Sequence, residues 1–446
     1  MIRHPSRAFT LVEILVSLAA GGLVMVGLMG LSKNATVAFN EEVRVGSLQA
    51  SVRSAVLRLQ SDLALTSYLS SPNLRSDPRI VHTRVAGSNA NVGVLGGARR
   101  LQGLRIEAGG SNGAAPRNVE NGYRNDVLEV SGNLSGSDPF VVLDVVIGGG
   151  NAGCDRVILN MDSPTIWRLR DSSAADPMTS LVARIQGLFV PATVAGGAAQ
   201  HLVRLLDPTG RSQFLATCAT ATPVTQTGAP PAIAIDVTAG VGQRILTTAD
   251  TGGVGGWPGR SVGGCTLNPV HVARYEVGSS AVLAPTLTGI EPSTAANPKY
   301  DLYRSYLDAN GNAIAGAELV AEYVAGLRFG LTVDSAVVGA PGTASTLERI
   351  ALTDGAGLGQ WAGLIDGTLA RPPSTAGSIG PHRIRSVGIE VTARVPMADR
   401  DRPEPAGAGL RRYCIPGACV PGALTFARTR TMNLEVGLPN HTGVFY

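Results

Sequence analysis

The sequence predicts an α+β protein. A long N-terminal stem helix, membrane-spanning in its first half and amphipathic in its second, packs on a mostly antiparallel β body with long loops. Two observations carry this prediction. An uncharged apolar run near the N-terminus leads into a segment with helical periodicity. After Pro72 the chain changes to short apolar or alternating segments, separated by stretches rich in Gly, Ala, Pro and Ser.

Composition sets broad limits on the class of protein. Hydrophobic residues make up 44% of the 446 positions, enough to bury a core, which excludes a wholly disordered chain. The net charge is only +4, and Lys33 and Lys299 are the two lysines. Nucleic-acid binding usually requires a clustered basic face, so we expect no nucleic-acid partner.

The apolar run is long enough to cross a bilayer. It extends without a charge over residues 14–31, between Glu13 and Lys33. At the rise of an α-helix, residues 9–32 span roughly 30 Å or slightly more, which matches the hydrocarbon core of a membrane. A secretory signal peptide is the alternative, but its apolar core is shorter and is followed by small residues at a cleavage site.

Charges around the run indicate its orientation. Arg3 and Arg7 precede it, so the positive-inside rule places the N-terminus in the cytoplasm and everything after Lys33 outside. The carboxylate of Glu13 is unusual at the start of such a segment. Burying it in the membrane costs about 2.5–3.5 kcal/mol even on insertion-based scales, so we expect it to have a partner.

The stretch Arg7-Ala8-Phe9-Thr10-Leu11-Val12-Glu13 resembles the class III signal of type IV prepilins and type II secretion pseudopilins. The resemblance implies that a prepilin peptidase cuts between Ala8 and Phe9 and methylates the new amine of Phe9. The family usually has glycine before the cut, and Ala8 departs from that pattern while remaining small.

After such a cut, the amine of Phe9 and the carboxylate of Glu13 lie four residues apart on one helix face. In a helical bundle, Glu13 of one subunit can neutralise the N-terminal charge of a neighbour, which makes it the predicted assembly residue. The alternative is an ordinary membrane anchor with an accidental glutamate.

Helical periodicity continues beyond the membrane, with Arg58 and Asp62 among the residues assigned to the other faces. The sequence Ser70-Ser71-Pro72 is expected to end a single helix that runs from about Phe9 to Leu69. A juxtamembrane coiled coil is the alternative. The apolar positions that recur at steps of three and four are Val45, Leu48, Val52, Ala55, Leu59 and Leu63.

These features predict the organisation of the chain. We expect a leader at 1–8, a transmembrane half of the stem at 9–32, an amphipathic half at 33–70 and an extracytoplasmic body at 72–446. The body is either one unit or two lobes divided near 220–260. Its predicted strands cover residues 126–131, 140–147, 156–161, 181–189, 270–277, 319–333, 384–395 and 429–438. Its predicted loops cover residues 86–97, 109–115, 220–232, 251–264 and 337–346.

Five short segments of the body resemble, in order, the strands of PilW-like minor pilins. They lie at residues 271–277, 300–304, 318–328, 383–389 and 428–436. The resemblance covers residues 1–70 well and about 270–440 loosely, and residues 72–260 stand without a family interpretation.

A minor pilin is also favoured by length, because major pilins are generally much shorter. The resemblance implies type IV pilus assembly, with the twitching motility and cell adhesion that pili support. It implies as partners a prepilin peptidase, other major and minor pilins, an inner-membrane assembly platform and a tip adhesin. The protein would be a single-pass inner-membrane protein before assembly and part of a surface pilus afterwards.

Two alternatives of other kinds stay open. The chain could be a J-type pseudopilin of type II secretion, or a membrane-anchored adhesin or binding module with a pilin-type leader. A Walker A loop and an HExxH motif, two patterns typical of enzymes, are absent from the sequence, and the six histidines are scattered singly. We therefore expect neither catalysis nor a cofactor.

The cysteines are candidates for disulfide bonds. Cys414 and Cys419 enclose a Pro-Gly turn that could bring their sulfurs within bonding reach, and two of Cys154, Cys218 and Cys265 could form a second bond.

Calcium is a weak candidate at Asp308, Asn310 and Asn312, since these residues offer oxygen ligands at alternate positions. Gly311 falls at the fourth place, where a calcium loop has glycine at the sixth. A hairpin turn fits more simply, so no metal is predicted.

Overall fold

The structure is a computed structural model of the chain. It divides into two compact units, Met1–Ser51 and Val52–Tyr446, and helix α1 contributes to both. The residues described are 10–73, 77, 79–80, 102–107, 121, 123, 125–150, 153–190, 200–218, 223–228, 231–237, 245, 264–294, 297–309, 311–314, 316–334, 347–351, 381–398, 413–415 and 426–442.

Helix α1 (Leu11–Ala64, 54 residues) confirms the predicted stem helix, and most of it belongs to the first unit. Residues 11–31 are exposed throughout, although nearly all of them are apolar or small. By length and composition, this helix could cross a membrane. An apolar surface of this kind is stable only in a non-aqueous environment or against other apolar surfaces.

In the second unit, the end of α1 carries the predicted apolar stripe. Val52, Ala55, Leu59 and Leu63 are all buried. The helix ends at Ala64 rather than near residue 69, so the predicted end is wrong by about one turn.

Hydrogen bonds to the body explain this early end. Ser67 and Leu69 take left-handed conformations, with φ of 61° and 48°. The Ser67 N–H donates to Ser131 O at 2.8 Å, and the Asn133 N–H donates to Tyr68 O at 2.8 Å. These bonds divert the backbone from the helix before the proline is reached.

The rest of the described chain is mainly β. The strands are β1 (Leu104–Glu107), β2 (Val127–Gly132), β3 (Phe140–Val146), β4 (Asp155–Leu159), β5 (Leu202–Leu206), β6 (Ser212–Ala216), β7 (Val224–Thr227), β8 (Ala232–Val237), β9 (Thr266–Gly278), β10 (Asp301–Leu307), β11 (Glu318–Ala321), β12 (Val324–Asp334), β13 (Leu347–Ala351), β14 (Ile384–Arg394), β15 (Tyr413–Cys414), β16 (Phe426–Ala427) and β17 (Thr429–Gly437). The short helices are α2 (Pro164–Leu169), α3 (Pro177–Phe189) and α4 (Ser280–Leu283), with 3-10 turns at Pro381–Arg383 and Pro439–His441.

Within the described residues, eleven strands form one sheet around the 13-residue strand β9. The main path is β1-β2-β9-β3-β4-β8-β7, while β10 joins β9 to β11 and β5 joins β9 to β6. The second half of β9 pairs with β2 and β10, and its first half pairs with β3 and β5. These pairs are all antiparallel, as the sequence predicts for the body.

A second sheet has the order β13-β12-β14-β17 over the part of the chain that is described. Val387 of β14 lies opposite Leu331 of β12 and Val436 of β17, so alternate apolar residues share one face. The predicted strands at 384–395 and 429–438 are confirmed to within one residue at each end.

The predicted strand at 319–333 is broken into β11 and β12 at Tyr323. Its backbone takes a left-handed conformation, with φ of 55°. Its ring lies 4.9 Å from Lys299 Nζ and 4.9 Å from the Arg394 guanidinium carbon. These cation–π contacts join distant segments, so an apolar pattern along the local sequence could not have indicated the break.

The predicted strand at 181–189 is wrong, because these residues form the end of helix α3. The Asp176 carboxylate caps this helix by accepting hydrogen bonds from the N–H groups of Met178 (3.1 Å) and Thr179 (3.2 Å). Leu181, Ile185 and Phe189 are buried at intervals of four, in a core with α2 and the large sheet. The Asp-Pro start and this spacing were the missed signals.

Other differences concern short strands. The predicted loop at 220–232 contains β7, whose Val224 pairs with Ile235 of β8. Strands β1, β5, β6, β8, β13, β15 and β16 were not predicted. The predicted loops at 86–97, 109–115 and 337–346, and all but the last residue of 251–264, lie outside the described residues. A division of the body near 220–260 stays a prediction.

Candidate functional site

The predicted processing site lies at the edge of the described chain. Ala8 and Phe9 are outside the described residues, so the cut between them stays a prediction. Thr10 and Glu13 are described, and they form the first turn of α1.

Thr10 and Glu13 bond to each other in both directions. Thr10 donates its backbone N–H and its hydroxyl to Glu13 Oε2, both at 3.0 Å. In return, the Glu13 N–H donates to Thr10 Oγ1 at 3.3 Å. This is a capping box, in which residues three apart satisfy backbone N–H groups that a helix start leaves unpaired. It holds the Glu13 carboxylate at the positive end of the helix dipole.

Comparison with known proteins bears on this same segment. Residues 3–29 match the prokaryotic N-terminal methylation motif. The match supports a type IV pilin-like prepilin. No curated protein and no solved structure matches the chain.

A class III signal implies processing by a prepilin peptidase and assembly with other pilins. Together with the single N-terminal apolar helix found in the described residues, the motif is consistent with a single-pass inner-membrane anchor. The motif does not extend past residue 29, so the body has to be interpreted from its own contacts.

The last turns of α1 are attached to the body by a buried ion pair. Asp62 Oδ2 accepts hydrogen bonds from Arg304 Nε at 2.7 Å and from the Tyr275 hydroxyl at 2.8 Å. All three side chains are buried. Burial, and next the Asp62 charge, raise the pKa of Tyr275 far above its ordinary value, so the hydroxyl stays a donor. The helical periodicity of the stem predicts Asp62 on a face away from the apolar positions, so it gives no sign of this attachment.

The C-terminal turn also closes on the end of α1. The Asn440 side-chain amide donates to Thr66 O at 2.9 Å and to Ala64 O at 3.3 Å. His441, which is fully buried, places Nε2 2.9 Å from Ser67 Oγ and Nδ1 3.2 Å from Pro381 O. The Asn440 amide therefore satisfies backbone carbonyls at the helix end that have no intrahelical donor.

The structure gives the state of four of the five cysteines. Cys154 and Cys218 form a disulfide, and Cys265 is a free, buried thiol. Burial, and then the nearby Asp207 charge, raise the pKa of Cys265 to about 11, so it is protonated and unreactive at neutral pH. Cys414 is disulfide-bonded, and its predicted partner Cys419 lies outside the described residues.

The weak calcium candidate is a turn held by its own side chains. Asp308 Oδ1 accepts from the Asn312 N–H at 2.7 Å, and Asp308 Oδ2 accepts from the Asn312 side-chain amide at 3.2 Å. Asn310 lies outside the described residues. Over the part of the chain that is described, no group of three or more His, Cys, Asp and Glu residues could hold a metal ion.

Proposed function

We propose that the protein is a minor pilin of the PilW-like group, which a prepilin peptidase processes and a type IV pilus incorporates. The observation that carries the proposal is the methylation motif at residues 3–29, continued by a helix of 54 residues that leads into an antiparallel β body. Its action is assembly rather than catalysis.

Processing would occur between Ala8 and Phe9, leaving Phe9 as a methylated N-terminal amine. The capping box supports a role for Glu13 in assembly, because it fixes the carboxylate within the first helical turn. Glu13 Oε1 accepts no hydrogen bond from the described residues, so this oxygen is available for the amine of a neighbouring subunit. Pairing the two charges removes two costly groups from the membrane together.

Cohesion between subunits would come mainly from the apolar surface of residues 14–31. These side chains are exposed in the isolated chain, with Leu23 76% and Val26 71% accessible. Burying one Leu or Val side chain is worth about 1.5–3 kcal/mol, so a few such contacts exceed what a single charge pair contributes.

A minor rather than a major subunit is supported by the size of the body, since the second unit extends from Val52 to Tyr446. A body of that size suits a position where few copies are needed, so we place it at the pilus tip, where it would prime or cap the filament. There it would contact other pilins, with the inner-membrane platform and a tip adhesin as further partners.

Mass spectrometry of sheared surface filaments tests the proposal. We expect a peptide that begins at methylated Phe9. Cut protein confined to the cell envelope would instead favour a J-type pseudopilin. Uncut protein found only in the membrane fraction would contradict the proposal and leave a plain anchored domain. Filaments that form normally but lose attachment to a surface when the protein is deleted would favour an anchored adhesin.

Glu13→Ala tests the assembly step separately from processing. We expect the variant to be cut normally but to be absent from filaments, because the neighbour's amine loses its counter-charge. Glu42→Ala is the matched control, since Glu42 is also an exposed acid on α1. It should enter filaments as the natural chain does. Full incorporation of a normally cut Glu13→Ala chain would contradict the assembly role.

A further inference from the structure

The contact between the end of α1 and the C-terminal turn is built around two buried histidines. We call this contact the clasp and define it as residues 64–67 together with the two 3-10 turns, Pro381–Arg383 and Pro439–His441. His441 lies in one 3-10 turn and His382 in the other, and both side chains are almost completely buried.

The partners of His441 are all satisfied by the neutral ring. Nδ1 faces the carbonyl oxygen of Pro381, which can only accept, so Nδ1 carries the proton. Nε2 then accepts from the Ser67 hydroxyl at 2.9 Å. The backbone of Gly103 closes over this pair, since a Cβ on Gly103 would lie 2.2 Å from Ser67 Oγ and 2.8 Å from His441 Nε2. The Gly103 backbone therefore packs directly against this pair.

His382 is held in the neutral form in the same way. Its Nδ1 lies 3.2 Å from the Asn73 side-chain amide nitrogen, which is a donor. A proton on Nδ1 would place two donors against each other, so the bond requires an unprotonated nitrogen. Both histidines therefore use a lone pair that protonation would remove.

The charged groups around the pair oppose a further positive charge. Arg383 follows His382 directly, and Arg385 of β14 donates from Nη1 to the carbonyl oxygens of His382 (2.9 Å) and His441 (2.5 Å). Asp334 at the end of β12 lies 3.1 Å from Arg385 Nη2, so its charge is directed at the arginine. On the segment after α1, the Asp77 carboxylate accepts from Ser71 at 3.0 Å.

We propose that the clasp is an acid-sensitive joint, in which protonation of His382 and His441 releases the C-terminal turn from the end of α1 while the rest of the body stays folded. Local release is feasible because the turn Pro439–His441 follows β17 and is itself not part of either described sheet. Release withdraws the Asn440 amide from Ala64 O and Thr66 O, so the last turn of the helix loses its external donors.

The direction of the pH dependence follows from the pKa values. Burial, followed by the neighbouring arginines, lowers the pKa of His382 from 6.5 to about 4. Burial is also the main cause that lowers the pKa of His441 from 6.5 to about 3. The closed clasp binds fewer protons than the open one, so closure is fully favoured above about pH 6.5 and is lost as the pH falls towards 4.

The expected effect is large enough to measure. For a pKa of 6.5 when open and about 4 when closed, lowering the pH from about 7.5 to about 5 favours opening about thirtyfold for each histidine. Hydrogen exchange of the full chain in detergent micelles, corrected for the intrinsic pH dependence of exchange, measures this opening. We expect peptides covering 64–73 and 436–442 to gain exchange, while peptides from β4 and β8, which contain no histidine, keep their protection.

Two variants complete the test. His382→Asn with His441→Gln keeps an acceptor near each lost nitrogen but cannot be protonated, so the acid-induced gain should disappear. If the double variant does not fold, His382→Asn alone should reduce the gain about thirtyfold. His271→Gln is the matched control, because His271 is also buried, with its pKa lowered to about 4, but donates to Leu188 O outside the clasp. It should leave the gain unchanged.

Three results would overturn the proposal. One is an equal rise in exchange over the whole body, which would indicate general acid unfolding. Another is no rise at the clasp between about pH 7.5 and 5. The third is a rise that persists undiminished when the clasp histidines are replaced.

Discussion

Helix α1 is capped at its start by Thr10 and Glu13, which lie three positions apart. Beyond its last residue it is capped by Asn440, which lies 376 positions from Ala64 in sequence. The first cap is exposed and made within one turn. The second is part of a buried contact that also contains His441 and Ser67. The comparison teaches that the start of the helix depends on neighbouring residues alone, whereas its end is specified by the folded body.

Breaking the buried attachment at the end of α1 should have the largest effect. Asp62→Ala removes the acceptor of Arg304 Nε and leaves that guanidinium buried without its main counter-charge. Removing one partner of a buried ion pair typically costs about 3–5 kcal/mol in the free energy of unfolding. Denaturant unfolding of the full chain in micelles measures this loss.

Arg58→Ala is the control for that variant, because Arg58 bonds Glu318 at 3.0 Å with both side chains more than a third exposed. An exposed pair contributes at most about 1 kcal/mol, so the control should lose far less stability than Asp62→Ala. Equal losses in the two variants would mean that the buried pair does not attach the helix end.

Adding a methyl group at Gly103, which packs against the clasp, should have an intermediate effect on stability. Gly103→Ala places a methyl group 2.2 Å from Ser67 Oγ at a residue with φ of 70°, so both a clash and a strained backbone oppose it. We expect a loss of about 2–3 kcal/mol in the free energy of unfolding.

Gly136→Ala separates strain from the clash. Its φ of 64° is similar, but nothing lies within 4 Å of the added Cβ, so about 1 kcal/mol is expected from strain alone. If the two alanine variants unfold at the same denaturant concentration, the close packing of Gly103 on the clasp contributes no stability.

Removing the cap at the start of α1 should have the smallest effect. Thr10→Ala deletes the hydroxyl that bonds Glu13 in both directions, which typically costs about 1 kcal/mol and acts within the first turn. Amide exchange of residues 11–14 should increase, while the unfolding of the body stays unchanged. Thr10→Ser keeps the hydroxyl and should behave as the natural chain. A change in the unfolding of the body in Thr10→Ala would contradict the local character of this cap.

The same contrast explains how far the sequence could predict the molecule. Local patterns were sufficient to predict α1 over most of its length. They were also sufficient to predict β14 and β17, where apolar and polar residues alternate along the strand. They were also sufficient for the turn at Asp308, whose partner Asn312 is four positions away.

Features that depend on distant partners could not be predicted in this way. The local sequence around Asp62 is typical of a surface acid. Only the fold shows that Arg304, 242 positions later, pairs with it. The helix end could not be placed because its diversion depends on Ser131. The wrong prediction for helix α3 has a different cause. The Asp176-Pro177 helix start is visible in the sequence, but the apolar content of residues 181–189 also fits a strand.

Strand β9 has a consequence for how the body is made. It pairs with β2, β3, β5 and β10, and three of these strands precede it in the chain. Leu128 of β2 can pair early with Ile106 of β1, but its second edge has to wait for Tyr275 of β9. A chain that emerges N-terminus first would keep these early strand edges unpaired until residues 266–278 arrive, and pairing over such separations is slow. During that interval the unpaired strand edges can promote aggregation, which ends when β9 covers them.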